Sequence, residues 1–177
     1  MTSCITLSGD DSPGGVYILW LGVHRDLALA FGRFQTGRPI AIPAGNYAYV
    51  GSALSRRGAT SLAGRLLRHA TRGGGRPPHT IRDELAARLA KVGLRPAAGP
   101  LPADKRLRWH VDYLLEELAV EIGHISILRT AERAESRVAD WLAAQPGAWP
   151  PAAGLGASDD RGRTHLWRVP ALADFHT

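Results

Sequence analysis

The run GVYILWLGV, residues 15–23, constrains the fold more than any other stretch of the chain. It is short, apolar and rich in β-branched and aromatic residues, which is typical of a buried strand and well short of the ~20 apolar residues that a membrane span needs. The runs LALAFGRF (27–34) and AGNYAYVG (44–51) have a similar character. We therefore predict a three-stranded antiparallel unit in which 27–34 is the hairpin partner of 15–23.

The third of these strands has two different faces. Successive side chains of a strand point to opposite sides, so Tyr47, Tyr49 and Gly51 share one face while Ala48 and Val50 share the other. Two phenols beside a glycine either pack in a core or line a site. The strand taken alone leaves both interpretations open.

A helix is predicted over 59–72, where apolar and basic residues recur at helical spacing. We expect its apolar side, formed by Leu62, Leu66 and Ala70, to face the core. We expect its basic side to face solvent as a cationic surface formed by Arg65, Arg68, His69 and Arg72. The neighbouring small residues Gly51, Ser52 and Ala53 would let a bulky anion approach the backbone.

Further elements follow in mixed order. Helical spacing predicts a helix that begins at Thr80 with a capping box completed by Asp83, a second over 104–118 and a third from Thr130 to about Gln145. Strands are predicted over 120–128 and 164–169. Residues 1–13 are interpreted as a polar lead-in and 14–177 as one domain. These runs of strands and helices indicate an α+β fold with a small, mainly antiparallel sheet flanked by helices.

Composition narrows the class of function. Of the 177 residues, 22 are lysine or arginine and 16 are aspartate or glutamate, and the pI near 10.2 favours a polyanionic partner such as nucleic acid. Cys4 is the only cysteine and cannot form an internal disulfide, and no Cys/His cluster has the spacing of a zinc site. The first residues lack the pattern of a signal peptide. We expect a cytoplasmic protein with neither a membrane span nor zinc.

Hydrolysis of a phosphodiester requires a base, positive charge near the phosphorus and usually a divalent metal held by a carboxylate. Tyrosine is a poor base at its ordinary pKa, and Arg65 is placed to lower that pKa. For the carboxylate we favour Glu135, on the shoulder of the apolar stripe of the 130–145 helix. Glu132, assigned to the first helical turn, is expected to serve the helix dipole. A boundary position paired with arginine is the alternative for Glu135.

The order of several motifs resembles that of a known family. GVYIL, PAGNYAYVGSA, GRLLRH, RWHVDYLL and GASDDRGRTHLW occur in sequence over about residues 14–169. The chain thereby resembles the GIY-YIG nuclease superfamily and, more closely, its branch known as the domain of unknown function 123. The resemblance implies a compact GIY-YIG-like domain over 14–177, in which 73–104 looks like a helical insertion.

The resemblance also implies roles for individual residues. The catalytic set would be Tyr17, Tyr49, Arg65, His69 and Glu135, with Glu135 as ligand of one Mg²⁺ or Mn²⁺ ion. Contacts to nucleic acid are assigned to Arg68 and Arg72 of the cationic surface, to Ser52 beside it and to His110 of the signature helix. His110 and Asp112 lie in a signature helix, where they support the site or contact substrate. Asp160 and Gly162 stand where the branch usually has cysteines, which excludes a thiolate zinc site there.

Three functions remain open at this point. The first is a metal-dependent endonuclease acting on nucleic acid, which we expect to be DNA rather than RNA. The second is a non-catalytic nucleic-acid-binding module with a degenerate nuclease site. The third, a small-molecule hydrolase that uses His110 and Asp112 as a base pair, is disfavoured because no serine or cysteine nucleophile accompanies them.

Overall fold

The computed structural model describes residues 4–56, 58–95, 105–156 and 163–170. Its strands are β1 (Ile5–Gly9), β2 (Gly15–Val23), β3 (Leu27–Leu29), β4 (Ile40–Ile42), β5 (Gly45–Ala53), β6 (Val120–Arg129) and β7 (Leu166–Val169). Its α-helices are α1 (Leu62–His69), α2 (Arg82–Lys91), α3 (His110–Leu115) and α4 (Glu135–Ala143), and a 3₁₀ turn spans Phe34–Gly37. The predicted α+β class, with a mainly antiparallel sheet, is confirmed.

The strand β2 lies at the centre of a five-stranded sheet with the order β1-β6-β2-β5-β7. It pairs antiparallel with β5 on one side and with β6 on the other. The prediction that 27–34 is its hairpin partner is wrong, because β3 pairs with β4 in a separate two-stranded sheet. The nine-residue strand β5 matches β2 along its whole length, whereas β3 has only three residues.

The polar lead-in predicted for residues 1–13 contains a strand. Residues 5–9 form β1, which pairs parallel with β6 at one edge of the sheet. Ile5 is buried, while the rest of ITLSG is partly or fully exposed, so the segment lacks the continuous apolar run that marked the central strands. The turn-rich stretch GDDSPGG connects β1 to β2 and does not precede the first strand.

Both faces of the central sheet are covered. One face carries Tyr17, Tyr47 and Tyr49, which pack in the main core with leucines of α1, α2 and α3. Ala48 and Val50 belong to a second cluster on the other face, together with residues of α4. The predicted division of the β5 side chains between two faces is thus confirmed.

The helices α3 and α4 are shorter than predicted. The α3 helix covers six residues, and Leu107 and Leu118 on either side of it are 37% and 63% exposed. The α4 helix begins at Glu135, because the Thr130 hydroxyl accepts a hydrogen bond from the Glu132 amide in a local turn.

The predicted capping box of α2 is absent. The Thr80 amide and hydroxyl both donate to the Glu121 carboxylate on β6, so this threonine joins the helix entry to the sheet. Within the described ranges, no helix combines the length and apolar character needed to cross a lipid bilayer.

Candidate functional site

A cleft of about 600 Å³ opens where β5 ends, beside α1 and the first turn of α4. The side chains that matter for its chemistry come from separate elements, and they are Tyr49 and Ser52 on β5, Arg65 on α1, Trp109 before α3, Glu135 on α4 and His165 before β7. The structure therefore brings Tyr49, Arg65 and Glu135, three of the residues predicted from sequence, to one cavity.

Ser52 links the arginine of this cleft to its carboxylate. Arg65 Nη1 donates a hydrogen bond to the Ser52 carbonyl oxygen. The Ser52 hydroxyl donates to Glu135 Oε2. Ser52 was expected to contact nucleic acid, but its hydroxyl and carbonyl groups are both engaged within the site. One residue at the end of β5 thus fixes the distance between a cation and an anion.

Arg65 is held on its other side by Trp109. The guanidinium carbon lies 4.4 Å from the centroid of the Trp109 ring, which is a cation–π contact. Arg65 Nε is buried without a hydrogen-bond partner among the described residues. The Arg65 head group is therefore restrained by stacking while part of its donor capacity stays unused.

Behind the cleft, Tyr17, His69 and Asp112 form a chain of polar contacts. The Tyr17 hydroxyl lies 3.0 Å from His69 Nε2, and His69 Nδ1 lies 3.3 Å from Asp112 Oδ1. Tyr17 and both polar partners are buried. The prediction that His69 faces solvent is wrong, because its position on α1 points it at β2 and β5, between the two tyrosine rings and Trp109.

Asp112 is the buried anion at the end of this chain. Its Oδ2 accepts from the Arg108 and Trp109 amides at 2.8 and 3.1 Å and pairs with Arg68 at 3.0 Å. Burial opposes ionisation, but His69, these amides and Lys105 together hold the pKa of Asp112 well below its usual range. Burial lowers the pKa of His69, so its imidazole is neutral at pH 7. The sequence singled out Asp112 without giving it this role.

Arg65 acts to lower the pKa of Tyr17 and of Tyr49, as predicted, but burial outweighs its effect. Burial raises the pKa of Tyr17 and of Tyr49 well above the ordinary value of 10.0. The Arg65 charge and its hydrogen bond to Tyr17 oppose that shift without overcoming it. Burying a phenolate beside an apolar core costs more free energy than its attraction to one cation recovers. Both phenols are neutral in the resting protein.

Gly51 is required by the ring of Tyr17. The two residues are directly opposed across the β2–β5 ladder. A Cβ added at Gly51 would lie 2.6 Å from both Cζ and the hydroxyl oxygen of Tyr17. The glycine therefore makes room for the phenol that reaches His69, which accounts for its place on the same face as Tyr47 and Tyr49.

Glu135 lies in the first turn of α4 and points into the cleft, as predicted. Its Oε1 lies 3.2 Å from His165 Nδ1, and its side chain is 32% exposed. Burial opposes ionisation, yet hydrogen bonds from His165 and Ser52 and the charge of Arg65 lower the pKa of Glu135. Glu132 lies outside α4, in an exposed ion pair with Arg137, so its assignment to the first helical turn is wrong.

The predicted cationic surface of α1 is largely internal. The Arg72 side chain is buried, where it donates to carbonyls of α3 and β6 and pairs with Glu121 at 3.0 Å. Arg68 is mostly buried by its pair with Asp112. The prediction that Arg72 faces solvent is wrong, because its position after the last turn of α1 places it between the helix and the sheet.

His110 has a local structural partner. Its Nδ1 accepts a hydrogen bond from the Gly156 amide at 3.1 Å, its ring packs on Phe34, and burial lowers its pKa. It holds the loop before β7, whose Gly156 lines the cleft. His110 thus supports the wall of the cavity.

Among the described ranges, no three His, Cys, Asp or Glu side chains are grouped closely enough to ligate a metal. Mg²⁺ in phosphoryl-transfer sites is often bound by one or two carboxylates together with substrate phosphates and water. Glu135, ionised and partly exposed, fits a site of that kind. The prediction about Asp160 and Gly162 concerns residues outside the described ranges.

These features define an α+β domain with a Tyr–His–Asp chain behind a polar cleft that contains an arginine and a glutamate. The chain belongs to the family described as Domain of unknown function DUF123, whose model matches residues 16–177. Comparison with curated proteins and with solved structures found no match.

Proposed function

We propose that this protein is a metal-dependent endonuclease of GIY-YIG type that hydrolyses nucleic-acid phosphodiester bonds. The observation that carries the proposal is the convergence of Tyr49, Arg65 and Glu135 on one cleft, with Tyr17 joined to His69 directly behind it. These side chains come from β2, β5, α1 and α4, and packing of an ordinary core would not require a cation and an anion among them.

Of the two phenols, Tyr17 has a neighbouring group that can accept its proton. A neutral phenol cannot accept a proton until it gives up its own, and the lone pair of His69 Nε2 lies 3.0 Å away when the ring carries its proton on Nδ1. As an attacking water loses a proton to the Tyr17 oxygen, the phenolic proton passes to His69. Asp112 stabilises the imidazolium that forms. Tyr49, which lines the cleft, is placed to orient the water or the phosphate.

Cleavage exchanges one bond to phosphorus for another. The water oxygen forms a bond to phosphorus, the bond from phosphorus to the leaving oxygen breaks, and the leaving oxygen takes a proton from solvent. Arg65, fixed by Ser52 and Trp109, stabilises the negative charge that gathers on the phosphoryl oxygens. Glu135 would hold the divalent ion. When bound, Mg²⁺ or Mn²⁺ polarises the phosphate and stabilises the leaving oxygen.

The substrate is expected to be a polyanion. The chain has a formal net charge of +6, and Arg65 and Arg133 line the cleft. Of the nucleic acids, we expect DNA rather than RNA.

A non-catalytic nucleic-acid-binding module is the second candidate. It is favoured by the raised pKa values of Tyr17 and Tyr49, which make both phenols poor bases unless the His69 route operates. The two candidates share the binding surface and differ in turnover.

The experiment is a cleavage assay on single-stranded and duplex DNA and RNA with Mg²⁺ or Mn²⁺. Wild-type protein should cleave at least one of these, and Glu135→Gln should abolish metal-dependent cleavage while nucleic-acid binding persists. Glu132→Gln is the matched control, because Glu132 lies in an exposed ion pair three residues earlier, and it should be nearly silent.

Arg65→Ala should reduce the cleavage rate on the order of 100-fold or more, as expected for loss of one preorganised donor. Tyr49→Phe should have a comparable effect, since only the hydroxyl is removed. Melting temperatures measured on the same samples separate loss of chemistry from loss of fold. A wild type that binds nucleic acid but cleaves none would establish the module instead.

A further inference from the structure

His165, which immediately precedes β7, lies in the wall of the cleft. Its amide donates to the Leu155 carbonyl and its carbonyl accepts from the Val50 amide, both at 2.9 Å. The residue is only 3% exposed and lines the same cavity as Glu135. The backbone hydrogen bonds fix the main chain at this position, and burial confines the ring.

The contacts of the His165 ring determine where its proton lies. Nδ1 is 3.2 Å from Glu135 Oε1, whereas Nε2 is buried and has no hydrogen-bond partner among the described residues. An imidazole N–H is favoured on the nitrogen that faces an acceptor. Nδ1 therefore carries a proton and donates it to the carboxylate.

Glu135 consequently receives one hydrogen bond on each oxygen, from Ser52 on Oε2 and from His165 on Oε1. Each oxygen keeps further acceptor capacity, because a carboxylate oxygen has two lone pairs. Carboxylates that hold metal ions are generally held in this way by hydrogen bonds from neighbouring groups.

We propose that His165 is a positioning residue, whose Nδ1–H fixes the Glu135 carboxylate in the orientation in which it binds a divalent cation. The inference deepens the proposed nuclease function and rests on it. The positioning role belongs to Nδ1, which contacts Glu135, and not to Nε2, which has no hydrogen-bond partner among the described residues.

Two substitutions separate the nitrogens. The amide nitrogen of asparagine falls close to the place of histidine Nδ1, and that of glutamine falls close to Nε2. In titrations of Mn²⁺ followed by electron paramagnetic resonance, His165→Gln should weaken binding 10- to 100-fold. His165→Asn should stay within about threefold of wild type, because it keeps the donor to Glu135. Melting temperatures of both variants control for folding.

The pH dependence of Mn²⁺ binding provides a readout that packing alone would not move. Removal of a donor to the ionised carboxylate raises the pKa of Glu135, so the acid limit of Mn²⁺ binding should shift to higher pH in His165→Gln and not in His165→Asn. The other groups that face Glu135 are unchanged in both variants, namely Ser52 and Tyr49 from β5, Tyr17 from β2 and Arg65 from α1.

Equal weakening in the two variants, or weakening in His165→Asn alone, would overturn the inference, as would a wild type that binds no Mn²⁺. The same titrations distinguish its failure from that of the proposed function. If the wild type binds Mn²⁺ through Glu135 and cleaves no nucleic acid, the nuclease proposal is wrong and the cation site stands. If the wild type cleaves and both His165 variants bind Mn²⁺ normally, only the proposed role of His165 is wrong.

Discussion

At the scale of single residues, the site depends on buried groups whose neighbours decide their charge. Tyr17 and Asp112 are both fully enclosed, yet one is held neutral and the other ionised. The phenol lies against the core with one cation nearby, whereas the carboxylate receives two backbone amides and an arginine. Hydrogen bonds that favour the charged form make this difference.

The contact between Gly51 and Tyr17 predicts the effect of a single methyl group. Gly51→Ala should destabilise the protein by about 1–3 kcal/mol, because the added Cβ overlaps the ring of Tyr17, which is buried and in contact with His69. Gly22→Ala on β2 is the matched control, since its Cβ would meet His24 at an ordinary 3.4 Å. Urea denaturation of the two variants is the measurement. Equal stability would show that the Tyr17 ring is not constrained.

The ionised state of Asp112 predicts that the protein loses stability at acid pH. Its folded-state pKa lies below the unfolded value of about 4, so its stabilisation is complete above about pH 5 and is lost as the pH falls further. Asp112→Asn should be less stable than wild type at pH 7. The difference in stability between the two proteins should narrow as the pH falls from 5 to 2.5. Melting temperatures across that range test this. A constant gap would mean that Asp112 shares the pKa of the unfolded chain.

At the scale of elements, the end of α1 is joined to the sheet through Arg72, which follows the last turn of the helix. Arg72 donates to the carbonyls of Pro77, Leu115 and Val120 and pairs with Glu121. These acceptors belong to the loop after α1, to α3 and to β6, so one side chain ties three parts of the fold together. This explains why a residue expected on the nucleic-acid surface is buried.

Arg72→Met should therefore destabilise the protein by roughly 3–5 kcal/mol, since it leaves a carboxylate and several carbonyls without their donor. Arg88→Met on the exposed face of α2 should change stability by less than about 0.5 kcal/mol. Chemical denaturation of both variants is sufficient. If Arg72→Met were as stable as Arg88→Met, the buried network would contribute nothing to the fold.

At the scale of the whole molecule, the net positive charge governs long-range attraction rather than the fold. If nucleic acid binds as proposed, the logarithm of the binding constant should fall linearly with the logarithm of salt concentration, by about 0.9 per duplex phosphate neutralised. Arg133→Ala, at the exposed wall of the cleft, should reduce this slope by about one. Fluorescence anisotropy at several salt concentrations measures it.

Arg88→Ala is the control for that slope, because the structure places no residue of α2 in the cleft. The slope should be unchanged in this variant although it loses the same charge. Affinity that did not depend on salt would contradict electrostatic binding altogether.

Much of the fold could be predicted from local pattern. The apolar runs 15–23, 44–51 and 120–128 became β2, β5 and β6, and the alternation along β5 placed its tyrosines on one face. The helical spacing of Leu62, Leu66 and Ala70 correctly predicted that they are buried. Side-chain period is a property of the local backbone, so the sequence carries it directly.

Strand partners and the charge states of buried groups were decided only by the tertiary structure. Periodicity shows which side of α1 is apolar, but it does not show that His69 contacts Asp112 of α3 or that Arg72 bonds to carbonyls of α3 and β6. Those partners are distant along the chain. The same holds for the union of Tyr17 with His69 and of Glu135 with His165. Pairing and desolvation depend on contacts between separated segments, and these exist only after the chain has folded.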